Sequence, residues 1–287
     1  MPSEANESVK LWRPSMLHGV ELLHATYVTR SFPRHVHDGF AVGVIEKGAL
    51  GFRYRGCDVV APAGAINLAN PDEVHTGHAA SETGWTYRMF YFDAELLRQI
   101  AAQMALRTAR IPFFPMGVIH DARLAARLHS VHRELEANAS DRLNIQTRFV
   151  DILACLIRRY ADAPPQVARV GLNPGIARAY EWMRAHWNED LSLNTLANLS
   201  DLSAFHFTRV FADTYGLPPH AYLMQLRIHR AKALLAGGQT IAEVALAAGF
   251  SDQSHLTRLF KRYAGLTPGQ YRARRPAPPI LDPIGPL

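Results

Sequence analysis

The chain has 287 residues, 48% hydrophobic and 20% charged, with a formal net charge of +6 and a pI of about 9.5. That length allows two domains with separate cores, and the composition excludes a disordered or collagenous chain. No run approaches eighteen apolar residues, the polar opening MPSEANESVK lacks a signal-peptide core, and Cys57 and Cys155 are too few to staple a secreted fold; no membrane span and a cytoplasmic location are therefore expected.

Residues 20–92 read as short strands. Apolar runs rich in Val, Ile, Phe and Tyr are broken by turn clusters at Arg55-Gly56, Pro62-Ala63-Gly64 and Asn70-Pro71-Asp72, a pattern suited to a small antiparallel barrel. Near the end of this region Trp85, Tyr87, Met89 and Tyr91 alternate with Thr86, Arg88, Phe90 and Phe92, so one strand face presents aromatic groups and a thioether together. That face lines a pocket or fills the barrel core. His35 and His37 share another strand face, and His75 is placed to approach them.

Helical spacing follows over residues 94–105, 123–137 and 143–161. Leu124, Leu128, Val131 and Leu135 form one stripe, and Phe149, Ile152, Leu153, Leu156 and Ile157 form another. The stripes serve either packing within the chain or a dimer seam. Proline and glycine then mark a linker at 164–173. Beyond it the chain reads as helix to Arg275, and the proline-rich residues 276–287 read as an extended tail.

The helical region contains a near-repeat. HFTRVFADTYGLPPHAY occupies 206–222 and HLTRLFKRYAGLTPGQY occupies 255–271. Ahead of the second copy, Thr240 and Glu243 form a capping box, Gly249 supplies a left-handed turn, and Ser251 or Asp252 caps the next helix. Helix, turn, helix is the arrangement whose second helix enters a DNA major groove. Gln253, Ser254, Thr257 and Arg258 are residue types that read base edges, while Lys261 and Arg262 suit phosphates. In the first copy Ser192 caps a helix, Asp201 stands in the place of the turn glycine, and Ser203 caps a helix with Ala204, Phe205, Thr208 and Arg209 facing outward. Phe205 either meets a thymine methyl or packs on its neighbour. A helix over 220–235, about 24 Å long, joins the copies.

Residues 174–275 resemble the DNA-binding domain of the AraC/XylS family of transcription regulators. RIHRAKALL (227–235) and IAEVALAAGFSDQSHLTRLFKRYAGLTPGQYR (241–272) carry the resemblance. It implies base contacts from Ala204, Phe205, Thr208, Arg209, Gln253, Ser254, His255, Thr257 and Arg258. Asp201 and the pair Ala212-Asp213 depart from the family's turn glycine and basic pair. His35-Val36-His37, Gly48, Pro62-Ala63-Gly64 and Asn70 to His75 resemble the cupin-like sensor barrel that precedes such domains. Cupin metalloenzymes add a glutamate and a later histidine; here those places hold Ala41 or Val42 and Asn67. Neither a metal, a cofactor nor a catalytic residue is therefore assigned, and His35, His37, His75, Trp85, Tyr87 and Met89 are expected to bind an effector.

The expected fold is a cupin-like antiparallel β-barrel over residues 1–110, connecting and dimerising helices over 111–163, and an all-α domain with two helix-turn-helix units. The expected function is transcription control through double-stranded DNA, modulated by a small molecule. The expected state is a homodimer, with RNA polymerase as a further candidate partner. A metal-dependent cupin enzyme with a helical appendage, and a ligand-independent DNA protein whose barrel only dimerises, are the alternatives.

Overall fold

Strand β1 (Ser8–Trp12) pairs with β2 (Val20–Tyr27); β3 (Phe32–His35), β4 (Phe40–Tyr54), β5 (Cys57–Pro62), β6 (Ile66–Ala69), β7 (His75–Ala79) and β8 (Trp85–Phe92) follow in a computed structural model. It describes residues 7–104, 110–137, 141–162 and 173–273. The expected linker, apart from Asn173, and the proline-rich tail lie outside these residues.

The fifteen-residue β4 belongs to two antiparallel sheets. Its first part pairs with β8 and β6, in the order β1-β2-β8-β4-β6-β9, where β9 (Val118–Ile119) is a short strand after the first helix. Its second part pairs with β5 and β7, and β7 with β3. The crossing is at Gly48, whose φ is +67°; a Cβ there would lie 1.9 Å from the Gly84 carbonyl oxygen. Only glycine meets both demands. The strand therefore bends, the sheets fold face to face, and their inner faces enclose a cavity. This is the expected barrel-like architecture, with one addition: β9 lies in a segment expected to be helical.

Helices α1 (Ala94–Gln103), α2 (Ala122–Glu136) and α3 (Arg142–Tyr160) cover the outer face of the larger sheet. Asp93, Asp121 and Asp141 cap them through side-chain oxygens that accept from Glu95, Leu124 and Asn144 N–H groups. The two stripes read in α2 and α3 are buried within the chain, all at 3% exposure or less. They are core and form no seam for a second chain, because they pack on Val42, Phe90 and Phe92 of the sheet.

The C-terminal part is helical: α4 (Pro174–Ala185), α5 (Leu193–Leu199), α6 (Ala204–Tyr215), α7 (Pro219–Ala236), α8 (Ile241–Ala247), α9 (Gln253–Ala264) and α10 (Pro268–Ala273). The core of this domain is continuous with the inner face of the barrel. Helix α7 carries buried residues on most of its circumference, among them Leu223, Gln225, Arg227, Ile228 and Leu235. A helix apolar on several sides needs cover on several sides. One side of α7 receives α8, α9 and α10, and another the barrel.

Candidate DNA-binding surface and effector cavity

The two copies of the repeat fold alike. Ser192 caps α5 and Thr240 caps α8, the latter in a reciprocal capping box with Glu243. Each helix ends in a left-handed residue: φ is +54° at Asp201 and +72° at Gly249. The following N–H then reaches back five residues, Leu202 to Ala197 and Phe250 to Ala245. Asp201 thus does the work of the missing glycine, as aspartate tolerates this region better than most residues. From there the copies differ by one residue. Ser203 caps α6 two positions after Asp201, whereas Asp252 caps α9 three positions after Gly249. Both second helices end at a left-handed glycine, Gly216 and Gly265.

Phe207 and Phe211 of α6, and Leu256 and Phe260 of α9, anchor the two helices and are fully buried. The opposite faces are open. Phe205, Arg209, Gln253, Ser254, Arg258, Lys261 and Arg262 are exposed; Ala204, Thr208, His255 and Thr257 are half-buried. Phe205 is 82% exposed, so its ring does not pack on a neighbouring helix. His255 Nδ1 lies 3.1 Å from Ser251 Oγ, which steadies the start of α9.

The cavity lies between the sheets and beneath the helical domain. Its volume is about 90 Å³. Trp85, Tyr87, Met89 and Tyr91 line it from β8, with Leu23 and Phe52 on other strands and His35, His37 and His75 at one end. The aromatic face of β8 therefore points inward, as the alternation predicts. His35 and His75 face each other across the β3–β7 pair, with ring centroids 4.2 Å apart; His37 is 5.0 Å from each. In all three the charged form is disfavoured. Burial pushes His35 down to about 3, with the neighbouring His75 adding to the effect, and pushes His37 and His75 below the usual range as well. Trp85 Nε1 and Asn67 Oδ1, on two residues lining this space, are buried with no hydrogen-bond partner among the described residues.

Residues 17–153 match the model of the AraC-like ligand-binding domain, and residues 196–274 match a helix-turn-helix domain. An HTH-type transcriptional regulator of Bacillus subtilis, YbfI, is 30% identical over 254 residues, which is 88% of this chain and 90% of that one. The chain belongs to the AraC-type transcription regulators. Among solved structures, ToxT from Vibrio cholerae superposes with a TM-score of 0.55 at 10% identity, covering 93% of this chain and 98% of that one. ToxT bound to (E)-4-(8-methylnaphthalen-1-yl)but-3-enoic acid gives 0.56 at 11% identity, covering 93% and 99%. At these identities the likeness concerns the fold.

As an AraC-type regulator the chain binds DNA through its helix-turn-helix domain. No helix among the described residues is long and apolar enough to cross a membrane. The structure brings together all six residues expected at the effector site, for His35, His37, His75, Trp85, Tyr87 and Met89 line one cavity. It also adds a wall that sequence reasoning missed. Lys232 of α7 and Tyr263 and Ala264 of α9 line the same cavity, so the DNA-binding domain closes it. Further contacts hold this closure. Tyr271 donates to Glu21 at 2.6 Å and accepts from Arg13. Arg30 donates to the Lys261 carbonyl at 3.2 Å, and Arg184 pairs with Asp72 at 3.1 Å. His229 pairs with Asp38. The sequence carries no mark of this wall beyond the placing of Tyr222, Leu223, Met224, Leu226 and Ile228 on more than one side of α7.

Proposed function

We propose that this regulator couples occupancy of the barrel cavity to the placement of α9 and its partner α6 on DNA. The observation that carries the reading is the shared wall: Lys232, Tyr263 and Ala264 belong to the DNA-binding domain and border the space enclosed by the barrel. An apolar cavity of ~150 Å³ admits benzene, and this one measures about 90 Å³. An effector larger than this space is accommodated by movement of its walls, and α7 and α9 are walls. Its affinity for the closed and displaced arrangements then differs, which is the condition for coupling.

Aromatic surface from Trp85, Tyr87 and Tyr91, unpartnered polar atoms on Trp85 and Asn67, and the ammonium of Lys232 favour a small molecule with a flat apolar body and an acidic or polar edge. ToxT is solved with an acid of this kind and with an unsaturated fatty acid, which accords with an acidic effector here. The role is sensing and not catalysis, since Ala41 and Asn67 stand where cupin enzymes carry further ligands. Base contacts are assigned to the exposed groups of α6 and α9. Pairing of two chains and contact with RNA polymerase belong to the same proposal. With the stripes of α2 and α3 internal, pairing would use the outer face of α3, where Leu143 and Val150 are exposed.

The test joins two measurements on the full chain. Candidate acids are screened by calorimetry, and operator affinity is measured by fluorescence anisotropy with and without each binder. A several-fold change in operator affinity, lost in Tyr87→Ala along with ligand binding, is expected. A compound that fills the barrel and leaves DNA affinity unchanged would defeat the reading.

A further inference from the structure

The histidine end of the cavity has the makings of a metal site, and we propose that His35, His37 and His75 bind a divalent transition metal, zinc foremost, with a coordination position left open to the cavity. One ring nitrogen from each histidine lies within 4.8 Å of those of the other two. Imidazole nitrogen suits zinc, copper, nickel and iron, and three such ligands with an open position are a recurrent zinc arrangement.

Convergence alone would not distinguish a metal site from packed histidines. The hydrogen bonds do. Nδ1 of His35 lies 2.8 Å from the Pro33 carbonyl oxygen, and Nδ1 of His75 lies 2.9 Å from the Glu73 carbonyl oxygen. A carbonyl oxygen only accepts, so in both rings Nδ1 carries the proton and Nε2 keeps its lone pair. Both rings thus use the same device, a carbonyl two residues earlier in the chain, to fix the same tautomer. A backbone carbonyl on the nitrogen remote from the metal is how ligating imidazoles are usually oriented. Packing within a core requires no such agreement between two rings on different strands.

The strands account for the geometry. His35 and His75 are direct partners across the antiparallel β3–β7 pair, so their side chains leave the sheet on one face. His37 lies two positions beyond His35, and its ring meets Tyr91 at 5.3 Å, which keeps it over the same space. Zinc bonds of about 2.1 Å put tetrahedral donors ~3.4 Å apart, so an ion would draw the three rings inward by side-chain rotation. Three neutral imidazoles leave the full double charge uncompensated. With the Lys232 ammonium on the same cavity wall, the open position favours an anion, either hydroxide or an acid. The site stands on the histidines alone; its failure would leave the effector proposal intact, and the reverse also holds.

The test uses the tag-free full chain, stripped with chelator and titrated with cobalt(II) and then zinc(II). One equivalent of cobalt per chain should develop visible absorption of a nitrogen-ligated site with fewer than six ligands, and zinc should displace it. His35→Ala and His75→Ala should each weaken cobalt binding by more than about 100-fold, while His78→Ala, an exposed histidine on the same strand as His75, should not. The wild-type chain supplies a second readout that does not depend on a variant's folding: zinc should shift the ring-nitrogen resonances of three imidazoles in two-bond proton–nitrogen correlation spectra. Absence of stoichiometric cobalt bands in folded protein, bands that survive both alanine variants, or unshifted imidazoles in the presence of zinc overturns the proposal.

Discussion

Gln225 of the DNA-binding domain grips the backbone at Val36, the residue between two of the cavity histidines. Its Oε1 accepts from the Val36 N–H at 2.7 Å, and its Nε2 donates to the Arg34 carbonyl at 3.1 Å. The side chain is 6% exposed. Helix α7 therefore hydrogen-bonds to the chain at the end of β3 much as a neighbouring strand would, which ties the cavity histidines to the helix that joins the two helix-turn-helix units.

Gln225→Ala leaves the part-buried Val36 N–H and Arg34 carbonyl without their side-chain partner, two hydrogen bonds in all. A loss of about 1–3 kcal/mol is expected in urea unfolding, with faster hydrogen exchange at the Val36 amide in the native protein. Unchanged exchange at Val36 would show that the contact does not hold the domains together.

Tyr271→Phe removes the hydroxyl that Glu21 accepts from, leaving that buried carboxylate with Arg13 alone. Hydrogen bonds to charged groups are worth about 1.5–3 kcal/mol, so a stability loss of that order should appear in denaturant melts, with α10 and β2 showing the largest rise in exchange. Loss confined to regions away from both would contradict the interface role.

Stability should fall on mild acidification, with His132 contributing alongside the cavity histidines. Burial, with the Arg88 guanidinium next in effect, pushes the fully buried His132 imidazole down to about 3. The unfolded chain takes up a proton below about 6.5 while the native one refuses it until near 3, so the contribution is complete above pH 6.5 and erodes from there downward. Between pH 7.5 and 5 it amounts to about 2 kcal/mol. His132→Asn keeps an acceptor for Arg88, whose Nη1 lies 3.2 Å from His132 Nδ1, and should flatten that part of the pH profile by this amount in urea titrations.

Arg258→Ala should cost about 1–3 kcal/mol at one operator position and relax preference there, if its guanidinium reads a guanine. Lys261→Ala should weaken all sequences alike and lower the salt slope of binding by about one. Anisotropy against single-base operator variants at two salt concentrations separates the two. A uniform loss for Arg258→Ala would reassign it to phosphate.

Phe205→Ala tests an exposed ring. With the side chain 82% exposed, the change should leave stability within about 0.5 kcal/mol yet reduce operator affinity wherever the facing base is thymine. A clear loss of stability instead would mean that the ring packs within the protein.

The local structure was legible in the sequence because it rests on short-range chemistry. Capping residues at Ser192, Thr240 and Ser203, the left-handed positions Asp201 and Gly249, and the apolar spacing of α2, α3, α6 and α9 are read from neighbours within a turn or two. The repeat at 206–222 and 255–271 identified two equal surfaces for the same reason, and the alternation along β8 told which residues share the cavity. Whether Ser251 or Asp252 would cap α9 stayed open, since both side chains can accept; the structure gives the cap to Asp252.

What one chain segment does to another was decided only by the tertiary structure. The stripes of α2 and α3 fit a core or a seam equally well by spacing, and it is the outer face of the sheet that claims them. Likewise nothing local to Lys232, Tyr263 or Gln225 marks them as neighbours of His35 and Trp85, which lie more than a hundred residues away. Periodicity says which residues share a face, through interactions that span a few positions. Which faces meet depends on the bend of β4 at Gly48 and the burial of α7 on opposite sides, and these exist only once the whole chain has packed.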